Sequence, residues 1–182
     1  MARQELSLEL FGKKASLEYS ERWIGQSILG LRVLMAWVFI QAGLEKILDP
    51  EWTAVHFLEG VESANPFMFL FEWFAAYPGL VDPLVMWTQL LIGLALLLGV
   101  FFRFAALGGA IQMLMFWLAS FEAGLMAGFP VAHGYLVNDT LVYAVLLFGL
   151  GALGAGRLYG LDSKLEETDL VKENNWIRYL LG

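Results

Sequence analysis

The chain has 182 residues, of which 59% are hydrophobic and only 16% charged, with a net charge of −7 and no Cys. A water-soluble domain carries roughly 25% charged residues, and nucleic-acid binding needs clustered Lys and Arg. Both classes are therefore excluded, as are thiolate metal sites, iron–sulfur clusters and disulfide scaffolds, which leaves an integral membrane protein of one domain.

In chain order, residues 1–22 form a polar N-terminal segment. There Leu6, Leu8 and Leu10 alternate with Ser7 and Glu9, Gly12-Lys13-Lys14 supplies a turn, and Leu17 and Tyr19 resume the alternation. This pattern predicts a short β-hairpin. The first apolar run begins beyond residue 22, is long, and has no small-residue cleavage site after it, so it reads as a retained span and not a secretory signal. Four segments are long enough to cross about 30 Å of hydrocarbon, at about 24–46, 83–102, 104–121 and 135–156. Backbone polar groups in lipid need internal partners, so the four are expected to be helices of an all-α four-helix bundle occupying residues 23–160. Asp82-Pro83 is the expected start of the second helix, and Phe102-Arg103 a tight hairpin before the third.

Between the first two spans lies a long loop rich in aromatic residues, among them Trp52, Phe57, Phe71, Trp73 and Tyr77. Asp49-Pro50 and Asn65-Pro66 each read as a helix start, predicting two short interfacial helices there. Residues 161–182 form a tail with Leu161, Leu165, Trp176, Ile177 and Leu180 among charges, expected to rest on the membrane interface. Arg3, Lys13, Lys14, Arg22, Arg103, Arg157, Lys164, Lys172 and Arg178 are nine of the eleven basic residues, and all fall at one end of the bundle. The positive-inside rule makes that end, with both termini, cytoplasmic.

Gly149, Gly151 and Gly154 reproduce G-x-G-x-x-G, but inside an apolar span they read as helix-packing glycines, without the strand and turn that a dinucleotide site requires. Asn138-Asp139-Thr140 matches a glycosylation sequon at the mouth of a span, where an acceptor is poorly reached. Charged residues inside spans carry more weight, because each is expensive in lipid. Arg32 lies roughly 12 Å from the basic end of the first helix, too deep to snorkel. Gly43 and Lys46 return to within about 40° of its direction, while Gln41 and Glu45 fall on the opposite side. Asp139 and Arg157 stand five turns apart on the last helix with Tyr143 one turn from Asp139, a stripe expected to face the bundle interior. Gln112 shares the depth of Arg32, and Gln89 lies in the outer third. Glu45, Lys46, His133 and Asp139 cluster at the outer mouth, where Lys46 and Asp139 are expected to pair. His56 and His133 both lie in outer loops, so neither a metal nor a haem is expected to be held by this chain. Interhelical hydrogen bonding without chemistry is the structural alternative for each of these residues.

Several of these residues recur in one order: Arg32, then Ala42-Gly43-Leu44-Glu45-Lys46-Ile47, Asn65-Pro66-Phe67, Leu91-Ile92-Gly93-Leu94-Ala95-Leu96 with Gly99 and Arg103, His133, Val137-Asn138-Asp139, and Gly154-Ala155-Gly156-Arg157 before Tyr159-Gly160-Leu161-Asp162. From about Trp23 to Asp162 the chain resembles the DoxX/DoxD family, and within it the DoxD-like small subunits of thiosulfate:quinone oxidoreductases. The resemblance implies a four-helix respiratory membrane subunit that passes electrons from thiosulfate on the outer face to quinone, beside a DoxA-like redox subunit. The six acidic residues of the long loop would repel an anion. A diffusing, neutral quinone at Arg32, Glu45, Lys46, Gln89, Gln112, His133, Asp139 and Tyr143 is therefore the favoured ligand. The alternatives are a non-catalytic scaffold in a respiratory complex and, third, a small-solute or proton pathway. Membrane lipid and a second copy of the chain are the other expected neighbours.

Overall fold

A computed structural model describes residues 4–10, 12–121 and 137–182. Strands β1 (Gln4–Leu10) and β2 (Lys13–Tyr19) pair antiparallel, with Leu6 opposite Leu17, around Gly12 at φ 73°. Helix α1 (Glu21–Leu48) follows at once. Its 28 residues extend about 42 Å, more than a hydrocarbon core requires. Two short helices, α2 (Ala54–Glu59) and α3 (Met68–Ala75), come next. The start of α2 differs from the expected Asp49-Pro50. Asp49 instead ends α1, and the Thr53 hydroxyl caps α2 by accepting from Val55 N at 3.2 Å.

Helix α4 (Pro78–Leu98) also begins earlier than its sequence suggests. Pro78 takes the first helical position, where a missing N–H is harmless, and Pro83 sits inside the helix. The Asp82 carboxylate, expected as a cap for α4, accepts instead from Ala54 N at 2.8 Å and ties α2 to α4. Gly99 (φ 63°) and Phe101 (φ 46°) form the left-handed link into α5 (Phe102–Ala119). Helix α6 (Asp139–Ala152) is capped by Asn138, whose side-chain oxygen accepts from Leu141 N at 3.1 Å. A 3-10 turn over Ala155–Arg157 leads to α7 (Asp162–Leu165), α8 (Asp169–Glu173) and α9 (Asn175–Arg178).

Helices α1, α4 and α5 are long and apolar enough to cross a membrane, and they make this a multi-pass membrane protein. The fourth apolar helix is shorter than the expected 135–156: its 14 residues rise only about 21 Å. It stops because Gly154 is left-handed (φ 64°), outside the helix. Of the three glycines in the G-x-G-x-x-G match, Gly151 and Gly154 serve close approaches, since a Cβ on Gly151 would lie 3.2 Å from Ala106 Cβ and one on Gly154 would lie 3.0 Å from Gly182 C, whereas Gly149 has nothing within 4 Å.

Packing is uneven. Helix α1 lies chiefly along α4 and α5 along α6, whereas α4 and α5 touch far less despite their short link. The main core joins Met35, Ala36 and Phe39 of α1 to Leu96 of α4, Ala106, Ala110 and Met113 of α5, and Leu147 and Leu150 of α6. A second cluster of Ala54, Leu58, Val61, Phe71, Val81 and Ala119 seats α2 and α3 over the ends of α4 and α5. That is the loop end of the molecule. The opposite end carries the β-hairpin, the α4–α5 link and the C-terminal tail.

Candidate functional site

The space between α4 and α5 is a cavity of about 1340 Å³. Val81, Leu84, Val85, Thr88, Leu91, Ile92, Ala95 and Leu98 form a helical stripe along one wall. Phe101, Phe104, Ala105, Gly108, Ile111, Gln112, Met115 and Phe116 form the other. Each stripe recurs every three or four residues, as one face of a helix must. Among the described residues, polar side chains occur at only two levels. At mid-depth Gln112 Nε2 donates to Thr88 Oγ1 at 3.3 Å, while Gln112 Oε1 is buried with no partner among the described residues. At the loop end the wall includes Lys46, Ser120, Asn138 and Thr140. Asn138 Nδ2 donates to Ser120 Oγ at 3.2 Å, and Thr140 Oγ1 donates to Asn138 Oδ1 at 2.8 Å.

Among the described residues, Lys46 is the one charged residue on this wall. Its Nζ donates to Ala42 O at 3.0 Å and stands 5.5 Å from the centroid of the Trp52 ring, a cation–π contact. One of three ammonium protons is thus committed to backbone. Glu45, its chain neighbour, is exposed and accepts from Gln41 Nε2 at 2.8 Å. The expected pairing of Lys46 with Asp139 is not formed. Asp139 is exposed at the start of α6, where its carboxylate accepts from Thr140 N at 3.0 Å, as first-turn acids do.

The remaining expected site residues separate. Arg32 is buried, but its Nη1 donates to Ala155 O at 2.8 Å and to Leu158 O at 2.6 Å. It therefore clamps the turn after α6 and lies off the cavity wall. Gln89 is buried on the side of α4 that packs against α1, and its Oε1 has no partner among the described residues. Tyr143 is half-buried against the main core. Arg157 does not face the interior as its stripe suggested; it is half-exposed and pairs with Glu166. His133 lies outside the described residues. Of the eight, the cavity wall holds Lys46 and Gln112.

Sequence reasoning missed Thr88, Ser120 and Thr140 as wall residues, and Asp162 as an anchor. Asp162 is fully buried and accepts from Phe101 N at 2.8 Å, Phe102 N at 3.0 Å and Gly182 N at 2.8 Å. Burial pushes its carboxyl above the ordinary carboxylate range, against those backbone amides, and Glu166 adds to the push. Asn65 plays the corresponding part at the loop end. Its Nδ2 donates to Leu118 O and Phe121 O, both at 2.9 Å, and its Oδ1 accepts from Phe67 N at 2.8 Å. Its place before Pro66 indicated a helix start, and its place in the Asn65-Pro66-Phe67 run of the family resemblance named no role for it.

Three long apolar helices, a shorter fourth and an apolar cavity with sparse polar groups define a helical membrane protein with room for a lipid-soluble ligand. The DoxX family model matches residues 27–123, more than half of the chain, and the chain belongs to the DoxX family. An uncharacterized protein of Haemophilus influenzae is similar to it, 29% identical over 162 residues that cover 86% of this chain and 93% of that protein. No solved structure matches the chain.

Proposed function

We propose that this DoxX-family chain is the integral membrane subunit of a quinone-linked oxidoreductase, passing electrons from thiosulfate or a related reduced donor to membrane quinone. The observation that carries this reading is the α4–α5 cavity: apolar along its length, large enough for an amphiphile, and furnished with hydrogen-bond donors at Lys46 and Asn138. Quinone oxygens accept hydrogen bonds, and an ammonium favours the negative charge that builds on them during reduction. A DoxA-like or other redox subunit supplies the donor site, which suits a chain with no thiol of its own. The fourth apolar helix completes the bundle, and both termini face the cytoplasm. A second reading, a non-catalytic scaffold of a respiratory complex, is favoured by Arg32, whose hydrogen bonds go to backbone carbonyls.

Purification from the native membrane, with identification of co-purifying subunits and extracted quinone, tests the reading. Lys46→Met and Asn138→Ser, the latter keeping a helix-capping oxygen, should each lower quinone content and quinone-linked electron transfer by about tenfold, the loss of one strong hydrogen bond, with the amount of membrane protein unchanged. Equal quinone reduction with both replaced, or no quinone in the purified protein, transfers the case to the scaffold. For topology, a cysteine introduced at Ser63 should react with an impermeant label added to intact cells, and one introduced at Ser163 should react only after the membrane is opened. Labelling of Ser163→Cys from outside would reverse the assignment.

A further inference from the structure

The geometry points to a lengthwise binding mode that rests on the quinone reading: the head group sits at the loop end beside Lys46 and Trp52, and the isoprenoid chain runs along the groove to the α4–α5 link. Three observations carry this. The first is length. Val81 and Leu98 both line the wall, and the helical rise between them is about 26 Å, close to the hydrocarbon thickness. A compact head group fills only a fraction of such a space, whereas a chain fills it.

The second observation is the gradient of polarity. From Gln112 toward the α4–α5 link the wall has no polar side chain among the described residues: Leu91, Leu98, Phe101, Phe104 and Ala105 are its material, and Gly108 leaves the passage open, with only Ile92 Cδ1 within 4 Å of a Cβ built there. Toward the loop end the wall gains Ser120, Asn138, Thr140 and Lys46. An amphiphile in this groove has one orientation that matches both ends, since an unpaired polar head among those apolar side chains would forfeit its hydrogen bonds.

The third observation is the unspent capacity of Lys46. Its ammonium gives one proton to Ala42 O, forms no ion pair among the described residues, and lies over the Trp52 ring. The nearest carboxylate in sequence, Glu45, is exposed and held by Gln41. Two protons of a half-buried cation thus remain for an acceptor in the groove, and a quinone carbonyl is such an acceptor. The Trp52 indole beside it provides a flat face against which a quinone ring stacks.

Photolabelling of the wild-type protein in lipid nanodiscs tests the orientation with two probes: a quinone carrying an azide on its ring, and one carrying a diazirine at the far end of a full-length isoprenoid chain. Mapped by peptide mass spectrometry and displaced by unlabelled quinone, the ring probe should mark residues 46–59 or 115–120, and the chain probe residues 98–105. In Gly108→Trp the indole blocks the groove, so the chain label on 98–105 should be lost while the ring label persists. Reversed labels, or ring label at mid-groove beside Thr88, overturn the orientation but leave quinone binding intact. Displacement by phospholipid and not by quinone assigns the groove to a lipid acyl chain and overturns the inference. Quinone recovered from the purified protein without saturable labelling of the groove overturns the inference alone. Absence of both also removes the reading on which it rests.

Discussion

Helix α4 has two long neighbours and meets them in opposite ways. Against α1 it packs backbone to backbone: a Cβ on Gly43 would lie 2.6 Å from Leu90 N, and one on Gly93 would lie 2.6 Å from Ile40 N and 2.9 Å from Ala36 O. Against α5 it leaves a groove, and Gly108 on that side has no atom closer than 3.7 Å to where a Cβ would be. Apolar helices in lipid gain little by burying apolar surface against one another, so a seam closes only where small residues allow dense contact or where hydrogen bonds bind it. The α1–α4 seam has the small residues. The α4–α5 seam is in sparser contact and is bridged at mid-depth by Gln112 and Thr88; beyond its two ends Asp162 ties the tail to the link and Asn65 ties the loop to the end of α5.

The largest expected effect lies at those ties. Asp162→Ala leaves three buried N–H groups without an acceptor and removes a carboxylate close to the Arg32 clamp. It should lower stability by about 3–5 kcal/mol, read as thermal unfolding in detergent micelles. A neutral outcome would mean that the link holds without its anchor. Next is the closed seam, where Gly93→Val forces the α1 and α4 backbones apart and should destabilise by about 3 kcal/mol in the same assay. Asn65→Ala should cost about 2 kcal/mol and expose the loop between α2 and α3 to protease, because Leu118 O and Phe121 O lose their donor. The smallest effect is expected in the open seam: Gly108→Ala changes stability by no more than about 1 kcal/mol, toward stabilisation, since the methyl meets only Ile92 and alanine favours the helix. Equal losses for Gly93→Val and Gly108→Ala would erase the distinction between the two seams.

Some of this architecture is written in composition and order alone. Long apolar runs in a chain with few charges have no stable form in lipid but helices, so the class of protein and the approximate place of each helix follow from the residues themselves. Helix ends depended on which partner a side chain chose. Asp82 is a good cap by type, yet it binds Ala54 N on another helix, and Pro83 is accommodated inside α4 once Pro78 has started it. The family was legible for the same reason as the helices, since its residues recur in linear order.

The site was legible only in part. The cost of burying charge marks Arg32 and Lys46 equally as residues with a task, and their sequence neighbourhoods do not say which task. Arg32 turned toward carbonyls at Ala155 and Leu158, more than a hundred positions along the chain, and became a clamp. Lys46 met no carboxylate among the described residues and was left beside Trp52 at the end of a cavity. Thr88 and Gln89 are adjacent in sequence and about 100° apart on the helix, so one faces the groove and the other faces α1. Amino-acid type and spacing determined that these polar groups must be buried among apolar helices. Which neighbour each would meet was decided by tertiary structure, because hydrogen bonds and ion pairs act over a few ångströms and depend on helix rotation and approach, which a linear pattern does not specify.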